Sequence, residues 1–342
     1  MTERRTWIVP LLLSLVALGV AACGGGGKSE PLKGPDGIGV PGITVFTVGR
    51  DLIIETDGAA RSLLVAEGTL TYLSPALSPD GLEVAYIAFD QQVGLEADIN
   101  SDLHVISLIG PDRLNGEDRA ILEHQQRAEF FWTPRWSADG TSLVYAHQTQ
   151  TDDDFGAMFT LETIDLATGA TQVLRVRARE GDFSPTEPLV AFVDSPQIDS
   201  RLAIIHPTTL QVSILLTVEH GLSGFRVPQF SPSGEWIAFL ATGDGPSVSD
   251  GIVAALGTGR NGVQDVWMIR PDGSGLQRLT TVSEDQPDFA WSSDGRHILL
   301  RGAFGVYTVE VGTRSTLTLG PGEFHGWHDW QGTIGTAGAP QS

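Results

Sequence analysis

Apolar and polar positions along this chain alternate in short runs, and turn chemistry stands in front of each run. The runs 82–89 (LEVAYIAF), 142–145, 188–192, 236–239 and 297–300 have the length and the β-branched and aromatic content of strands. Each follows a recurring phrase: Leu77-Ser78-Pro79-Asp80-Gly81, Trp136-Ser137-Ala138-Asp139-Gly140, Phe183-Ser184-Pro185-Thr186-Glu187, Phe230-Ser231-Pro232-Ser233-Gly234 and Trp291-Ser292-Ser293-Asp294-Gly295. In the full phrase Pro presets φ, Asp offers an oxygen to backbone amides and Gly takes the positive φ that closes a tight turn. The phrase is therefore a turn between an inner strand and the run after it. Its Ser positions are separated by 59, 47, 47 and 61 residues, which is the spacing of four-stranded blades with their loops.

A second unit recurs after each run, two strands about a polar turn. It begins at 102–106, 161–165, 202–205, 265–269 and 306–309, and turns such as Ala167-Thr168-Gly169-Ala170 and Pro271-Asp272-Gly273-Ser274-Gly275 lead into its second strand. The unit appears once more, without its phrase, from Asp51 to Ala60. Six hairpins for five phrases leave one inner strand to be found. The C-terminal stretch 324–331 supplies it, with Trp327 in the bulky position of the phrase. The expected fold is all-β: a single six-bladed propeller of four-stranded antiparallel blades over residues 43–333, closed by strands from both chain ends. Closure removes the sheet edges that invite aggregation. Five or seven blades are the rival counts, should 43–48 or 241–263 hide a further unit.

The ends change the picture of where the protein works. Arg4 and Arg5 precede an apolar run over residues 7–22 that ends in Val20-Ala21-Ala22-Cys23. This resembles a secretory signal that ends in a bacterial lipobox, which implies Cys23 as the lipid-attachment residue. An ordinary cleaved signal with an incidental Cys is the alternative, but Cys23 is the only Cys in the chain and has no disulfide partner. Residues 1–22 read as signal peptide, 23–42 as a flexible Gly/Pro-rich tether and 334–342 as a disordered tail. The expected location is extracytoplasmic, anchored to a bacterial membrane.

Composition narrows the partners. With 21 Lys+Arg against 42 Asp+Glu the net charge is −21, which repels nucleic acid and anionic lipid, so membrane contact falls to acyl chains on Cys23.

With phrases and hairpins in place, the pattern resembles the WD-like repeat of TolB-type propeller proteins, read as aromatic-Ser-Pro-Asp-Gly, a strand, an Asp-Ile-Tyr-type strand, an Asp-Gly turn and Leu-Thr. The blade from Phe230 through Asp265-Val266-Trp267-Met268 and Pro271-Asp272-Gly273 to Leu279-Thr280 matches it most fully. The resemblance covers residues 43–333 and implies the fold. It departs in two places: the Phe183 phrase lacks Asp-Gly, and nothing resembles the separate N-terminal α/β domain of TolB.

Catalytic signatures are sparse. No G-x-S-x-G elbow occurs, and His325 and His328, three apart on a strand, point to opposite faces. The acidic loops carry more. The insertions 90–101, 146–157 and 240–264 all fall between second and third strands, which places them on one face with Asp90, Glu96, Asp98, Asp102, Asp152, Asp153, Asp154, Asp244 and Asp250. That face is the expected binding surface, since long loops on a rigid scaffold carry recognition. Asp98, Asn100 and Asp102 have the oxygen spacing that opens a calcium loop, without its Gly or closing Glu, so the expectation is no cofactor, with calcium at these three residues as the alternative. The functional expectation is a non-catalytic propeller that binds a protein or a cell-envelope polymer. A propeller lyase or glycosidase acting on a polysaccharide in the central funnel is the enzyme alternative.

Overall fold

A computed structural model describes residues 38–92, 99–109, 116–150, 157–195, 199–245, 263–321 and 326–334. The described residues form six antiparallel sheets arranged as a propeller. From the axis outward, blade one is His328–Gln331, Ile43–Val48, Asp51–Thr56 and Ala59–Leu64; blade two is Leu70–Leu77, Glu83–Gln91, Ile99–Ser107 and Asp118–Leu122. Blade three is Phe130–Trp136, Ser142–Gln150, Ala157–Asp165 and Thr171–Val176; blade four is Ala178–Phe183, Val190–Asp194, Arg201–Ile205 and Val212–Leu216. Blade five is Leu222–Phe230, Ile237–Gly243, Val263–Ile269 and Gln277–Arg278, and blade six is Asp288–Trp291, His297–Arg301, Gly305–Glu310 and Ser315–Pro321.

Burial along a strand depends on its rank in the blade. Second strands are covered on both faces by neighbouring blades, so all of Val190–Asp194 is buried. Outer strands face water, and Ser315–Pro321 has no buried residue. The hydrophobic effect is thus spent between blades. Leu202, Leu216, Phe225 and Phe239 pack between blades four and five, and Leu103, Phe131 and Tyr145 between two and three.

The phrase does its expected work. In blade two Ser78 Oγ donates to Asp80 Oδ1 at 2.6 Å and accepts from the Glu83 amide at 2.9 Å, while Gly81 takes φ +69° and donates its N–H to the Ser78 carbonyl at 2.8 Å. Blades three and six repeat this with Ser137/Asp139 and Ser292/Asp294. The Ser78 hydroxyl, helped by the Leu82 amide, holds the Asp80 carboxyl below its ordinary range.

Ring closure is where the sequence expectation needs correcting. His328–Gln331 pairs with Ile43–Val48, from Gln331 opposite Ile43 to His328 opposite Phe46, so both chain ends do contribute to blade one. The bulky residue of its phrase, however, is Trp330 and not Trp327. Trp330 is 2% exposed and its indole N–H donates to the Pro41 carbonyl at 2.8 Å, whereas Trp327 lines the channel. Two Trp three residues apart on a strand face opposite ways, and the Gln331–Ile43 register decides which turns inward.

The interface between blades six and one is polar. It joins a small apolar set, Val40, Ala290, Leu299, Val306 and Trp330, to buried Arg301, Asp288, His328 and Glu55. Glu55 accepts from the amides of Ile38 at 2.5 Å and Gly39 at 2.7 Å, and the Arg301 guanidinium lies 5.0 Å over the Phe46 ring. Trp330→Ala should therefore cost about 3–5 kcal/mol by urea denaturation, the usual loss for a buried aromatic. Leu319→Ala on the outer strand of blade six, 38% exposed, should leave the midpoint unchanged, and an equally silent Trp330→Ala would mean that closure does not depend on this residue.

Candidate functional site

The inner strands are sheet edges that face the axis, and they share a local device. Blades two, three, four and five each carry a bulge whose first residue has positive φ: Ser74 (+49°), Thr133 (+46°), Glu180 (+53°) and Val227 (+48°). Pro75, Pro134, Gly181 and Pro228 follow them. A bulge leaves one residue out of the ladder, and Pro has no N–H to leave unpaired there. At Gly181 a Cβ would meet Leu161 Cδ1 at 2.7 Å and Val144 Cγ2 at 2.9 Å, so any larger residue has to displace those two side chains.

The residues two before each phrase Ser are Ala76, Arg135, Asp182, Gln229 and Ala290, with Asp329 the equivalent in blade one; Ala290 is fully buried between blades six and one. Five of these, all but Ala290, line a funnel of about 310 Å³ that opens on the face of the phrase turns. Trp136, Phe230, Trp291, Trp330 and Leu77 form its walls, and Pro79, Pro232, Ser292, Ser293 and Gln331 its rim. Below the ring a second void, about 20 Å³ and so the room of one water, is lined by Ser74, Thr133, Glu180, Asp288 and Trp327.

The ionisable groups of this axis are stapled to the next blade. Asp182 accepts from the Phe230 amide at 2.7 Å, Asp329 from Leu77 at 2.8 Å, Asp288 from His328 at 2.8 Å and Glu180 from Val227 at 2.6 Å. Each carboxylate meets an amide that an unpaired edge strand would otherwise bury. Arg135 lies 3.8 Å from Asp329 and its charge is also felt by Asp182 and Asp288. Asp182 is part-open to the funnel, yet burial at the funnel's base pushes its carboxyl up to about 7, against Arg135 and the Phe230 amide and with the help of Asp329. Asp288 goes the other way: burial opposes its charge, but His328 and Arg135 hold it below the usual range.

The acidic residues expected to form a binding surface fare differently. Glu96, Asp98, Asp152, Asp153, Asp154 and Asp250 lie outside the described residues, as does Cys23. The strand ends that flank the insertions, Gln91 and Ile99, Gln150 and Ala157, all stand at the face opposite the funnel. Asp90 accepts from Thr69 Oγ1 and, at 3.3 Å, from Gln92. Asn100 is buried, and Asp244 is fully exposed with Arg278 3.9 Å away.

Asp102 has a structural task that its place in the repeat explains. It accepts from the His124 amide at 2.8 Å and meets His124 Nδ1 at 2.7 Å. Asp51 takes the Ala66 amide at 2.8 Å in blade one, and Asp265 takes Ser283 N–H at 3.1 Å and Thr280 Oγ1 at 2.8 Å in blade five. An Asp in the third strand thus clasps the segment that follows the fourth. Asp102 is therefore occupied by this clasp, and among the described residues no group of three His, Cys, Asp or Glu is placed to hold a metal ion.

One further cluster was not legible in the spacing. His147 lies between Glu129 Oε1 at 2.8 Å and Glu162 Oε1 at 3.0 Å, and stacks on Phe131 with ring centroids 4.9 Å apart. Burial disfavours its charge, but Glu162 and Glu129 outweigh that and raise its pKa.

Among known proteins, no family model matches this chain and no curated protein sequence matches it. Solved structures do. TolB from Acinetobacter baumannii is similar at 15% identity and a TM-score of 0.50, over 82% of this chain and 66% of that one, so the chain spans just under two thirds of its length. An oligogalacturonate lyase in complex with manganese is similar at 15% identity, over 80% and 71%, with a TM-score of 0.55. A chain of a nidogen/laminin complex is similar at 12% identity, over 84% and 97%, with a TM-score of 0.58. At such identities the shared property is the fold: the chain is a six-bladed β-propeller similar in architecture to these structures, and an architecture alone does not choose between binding and catalysis.

Two pH effects follow. Asp182 binds its proton more tightly folded than unfolded, so stability is highest below the unfolded pKa of about 4 and falls as pH rises through about 7. Asp182→Asn keeps an acceptor for Phe230 and should stabilise the protein by about 1–3 kcal/mol near pH 8 while changing little near pH 4. A variant no more stable than the parent in alkaline urea titrations would contradict this. His147, with its folded pKa raised, adds stability present below about 6.5 and lost as pH rises through the folded value. His147→Gln should be destabilising near pH 6 and close to neutral near pH 9, and a pH-independent loss would show packing alone.

Proposed function

We propose that the chain is an exported propeller, held at a membrane by lipid on Cys23, that binds a protein or a cell-envelope polymer and performs no catalysis. The observation that carries this reading is the funnel. Its lining combines polar and charged groups with the edges of largely buried Trp136, Phe230, Trp291 and Trp330, and its volume falls at the lower end of ligand pockets. Its ionisable residues are Arg135, Asp182 and Asp329, and both carboxylates are committed to backbone amides of the next blade. Groups fixed in inter-blade bonds make a rigid recognition floor and poor proton shuttles.

The lyase or glycosidase reading would have to run on the same three side chains. Asp182, with its carboxyl near 7, is the best general base it could offer. A polyuronate, however, would meet two carboxylates for one guanidinium on a chain of net charge −21. That balance repels an anionic substrate.

Cross-linking in intact cells followed by recovery of the chain should yield a specific partner. Purified protein incubated with polygalacturonate should generate no unsaturated product by ultraviolet absorbance, and turnover that Asp182→Asn abolishes would replace the binding reading with an enzymatic one. The anchor is checked separately: Cys23→Ala should move mature, folded protein from the membrane pellet to the soluble fraction, and a processed variant that stays membrane-bound would refute lipid attachment.

A further inference from the structure

We infer that the funnel opens toward the bilayer, so that its ligand is the extracytoplasmic part of a membrane-embedded protein. The inference rests on the reading of Cys23 as a lipid anchor and adds an orientation to it. It starts from where the chain enters the ring. Ile43 pairs with both Gln331 and Thr56, and Gln331 stands at the funnel rim, so Ile43–Val48 starts on the funnel face. Gly42 donates to Asp57 Oδ1 at 3.1 Å, and its carbonyl accepts from the Asp57 amide at 2.9 Å, in the hairpin turn of that same face.

The entering segment is fixed before it reaches Ile43. Val40 is 3% exposed among Ala290, Leu299 and Trp330. Trp330 donates to the Pro41 carbonyl, and buried Glu55 takes the amides of Ile38 and Gly39. A Cβ on Gly42 would fall 2.1 Å from the Gln331 carbonyl oxygen, and one on Gly332 would fall 1.9 Å from that of Pro41. The entering and leaving chains therefore lie against each other at the rim. The root of the anchor is part of the closing joint, and it sets the direction in which the propeller is held.

Chain length decides which face the anchor can turn to the membrane. Ile38 lies 15 residues after Cys23, a separation of at most about 50 Å when fully extended and of about 20 Å on average for a Gly-rich coil. The longest strands have nine residues, Glu83–Gln91 among them, which makes the ring about 30 Å tall. Three strand spacings put its outer edge about 15 Å from the inner strand. A chain that ran outward over the rim and down the side would use about 45 Å before it cleared the far face. The average coil covers less than half of that path, whereas it holds the funnel face over the headgroups without stretching.

The same face rejects lipid as the ligand. Asp57, Asp80, Asp139, Asp272 and Asp294 are exposed in its turns, on a chain of net charge −21. Anionic headgroups repel such a face within the screening length of about 8–10 Å. The mean coil length exceeds that distance, so the face stands off from the lipid, and a protein that projects from the bilayer fills the gap. Tethering on this scale gives an effective concentration of about a millimolar for a protein in the same membrane, so even a weak contact is occupied.

The test uses the lipidated full chain in phosphatidylcholine vesicles that carry rhodamine-labelled lipid. Cys23 is the only Cys, so with its thiol lipidated, Ser293→Cys at the funnel rim and Gln92→Cys at the opposite face each take a single donor dye. Energy transfer from the Ser293→Cys site should be about twofold stronger than from the Gln92→Cys site, and about 20 Gly/Ser residues inserted after Gly27 should shrink that difference. Equal transfer on vesicle-bound protein, or stronger transfer from Gln92→Cys, overturns the orientation. Protein that never joins the vesicles refutes the anchor instead. In intact cells a photoreactive residue in place of Ser293 should cross-link a membrane-spanning protein, with about tenfold less product when Cys23→Ala releases the chain. No product from that position, or a water-soluble partner captured equally by anchored and released protein, overturns the choice of partner.

Discussion

Everything in this molecule depends on one pairing of distant strands, Ile43–Val48 with His328–Gln331. In a ring each blade is buried only because it has two neighbours, so the link between the chain ends sets whether the other five interfaces stay closed. Among the described residues the closing interface has the smallest apolar set of the six. Arg301, Asp288, His328 and Glu55 there are buried in hydrogen bonds and close charge contacts. Such pairs contribute less net stability than apolar packing but penalise every wrong alignment. That suits a joint where register must be found across nearly three hundred residues.

The same economy shapes the axis. Inner strands expose amides toward their neighbours, and carboxylates from the preceding blade take them up at Asp182, Asp329, Asp288 and Glu180. Trp136 and Gln229 do the corresponding work with carbonyls, donating to Ala76 and Phe289. Carboxylates stand along the axis because edge amides there need acceptors.

The fold was legible because the phrase has a local mechanism. Ser, Asp and Gly at fixed offsets build the same bonded turn at Ser78, Ser137 and Ser292, so counting phrases and hairpins counts blades. The closing strand was legible only in outline, since Trp327 and Trp330 both satisfy the pattern and only the Gln331–Ile43 register separates them. The site was mostly hidden. Loops rich in Asp drew the eye to one face, while the described cavity opens on the other. Yet a signal was present in the position two before each phrase Ser, where Arg135, Asp182 and Gln229 stand next to buried Trp136, half-buried Phe183 and buried Phe230. What the sequence could not show was that bulges at Ser74, Thr133, Glu180 and Val227 turn those positions to the axis.

Asp102 shows how a functional pattern and a structural one share residue types. Asp98, Asn100 and Asp102 have the spacing of a cation loop, but Asp51, Asp102 and Asp265 stand in the third strands of their blades and make the same bond to the segment that follows the fourth. Recurrence decides between the two. A residue that repeats with the blade serves the blade, and one that breaks the repeat has been freed for something else. Applied to the ring, this separates its members: Asp182 and Asp329 repeat one bond, each to the amide of the bulky phrase residue in the next blade, whereas Arg135 and Gln229 recur in no other blade. The asymmetry is concentrated where the funnel ends, beside Trp330, which closes the ring, walls the funnel and holds the entering chain at Pro41. Closure and recognition therefore share a residue, and any occupant of the funnel rests against the joint that keeps the propeller whole.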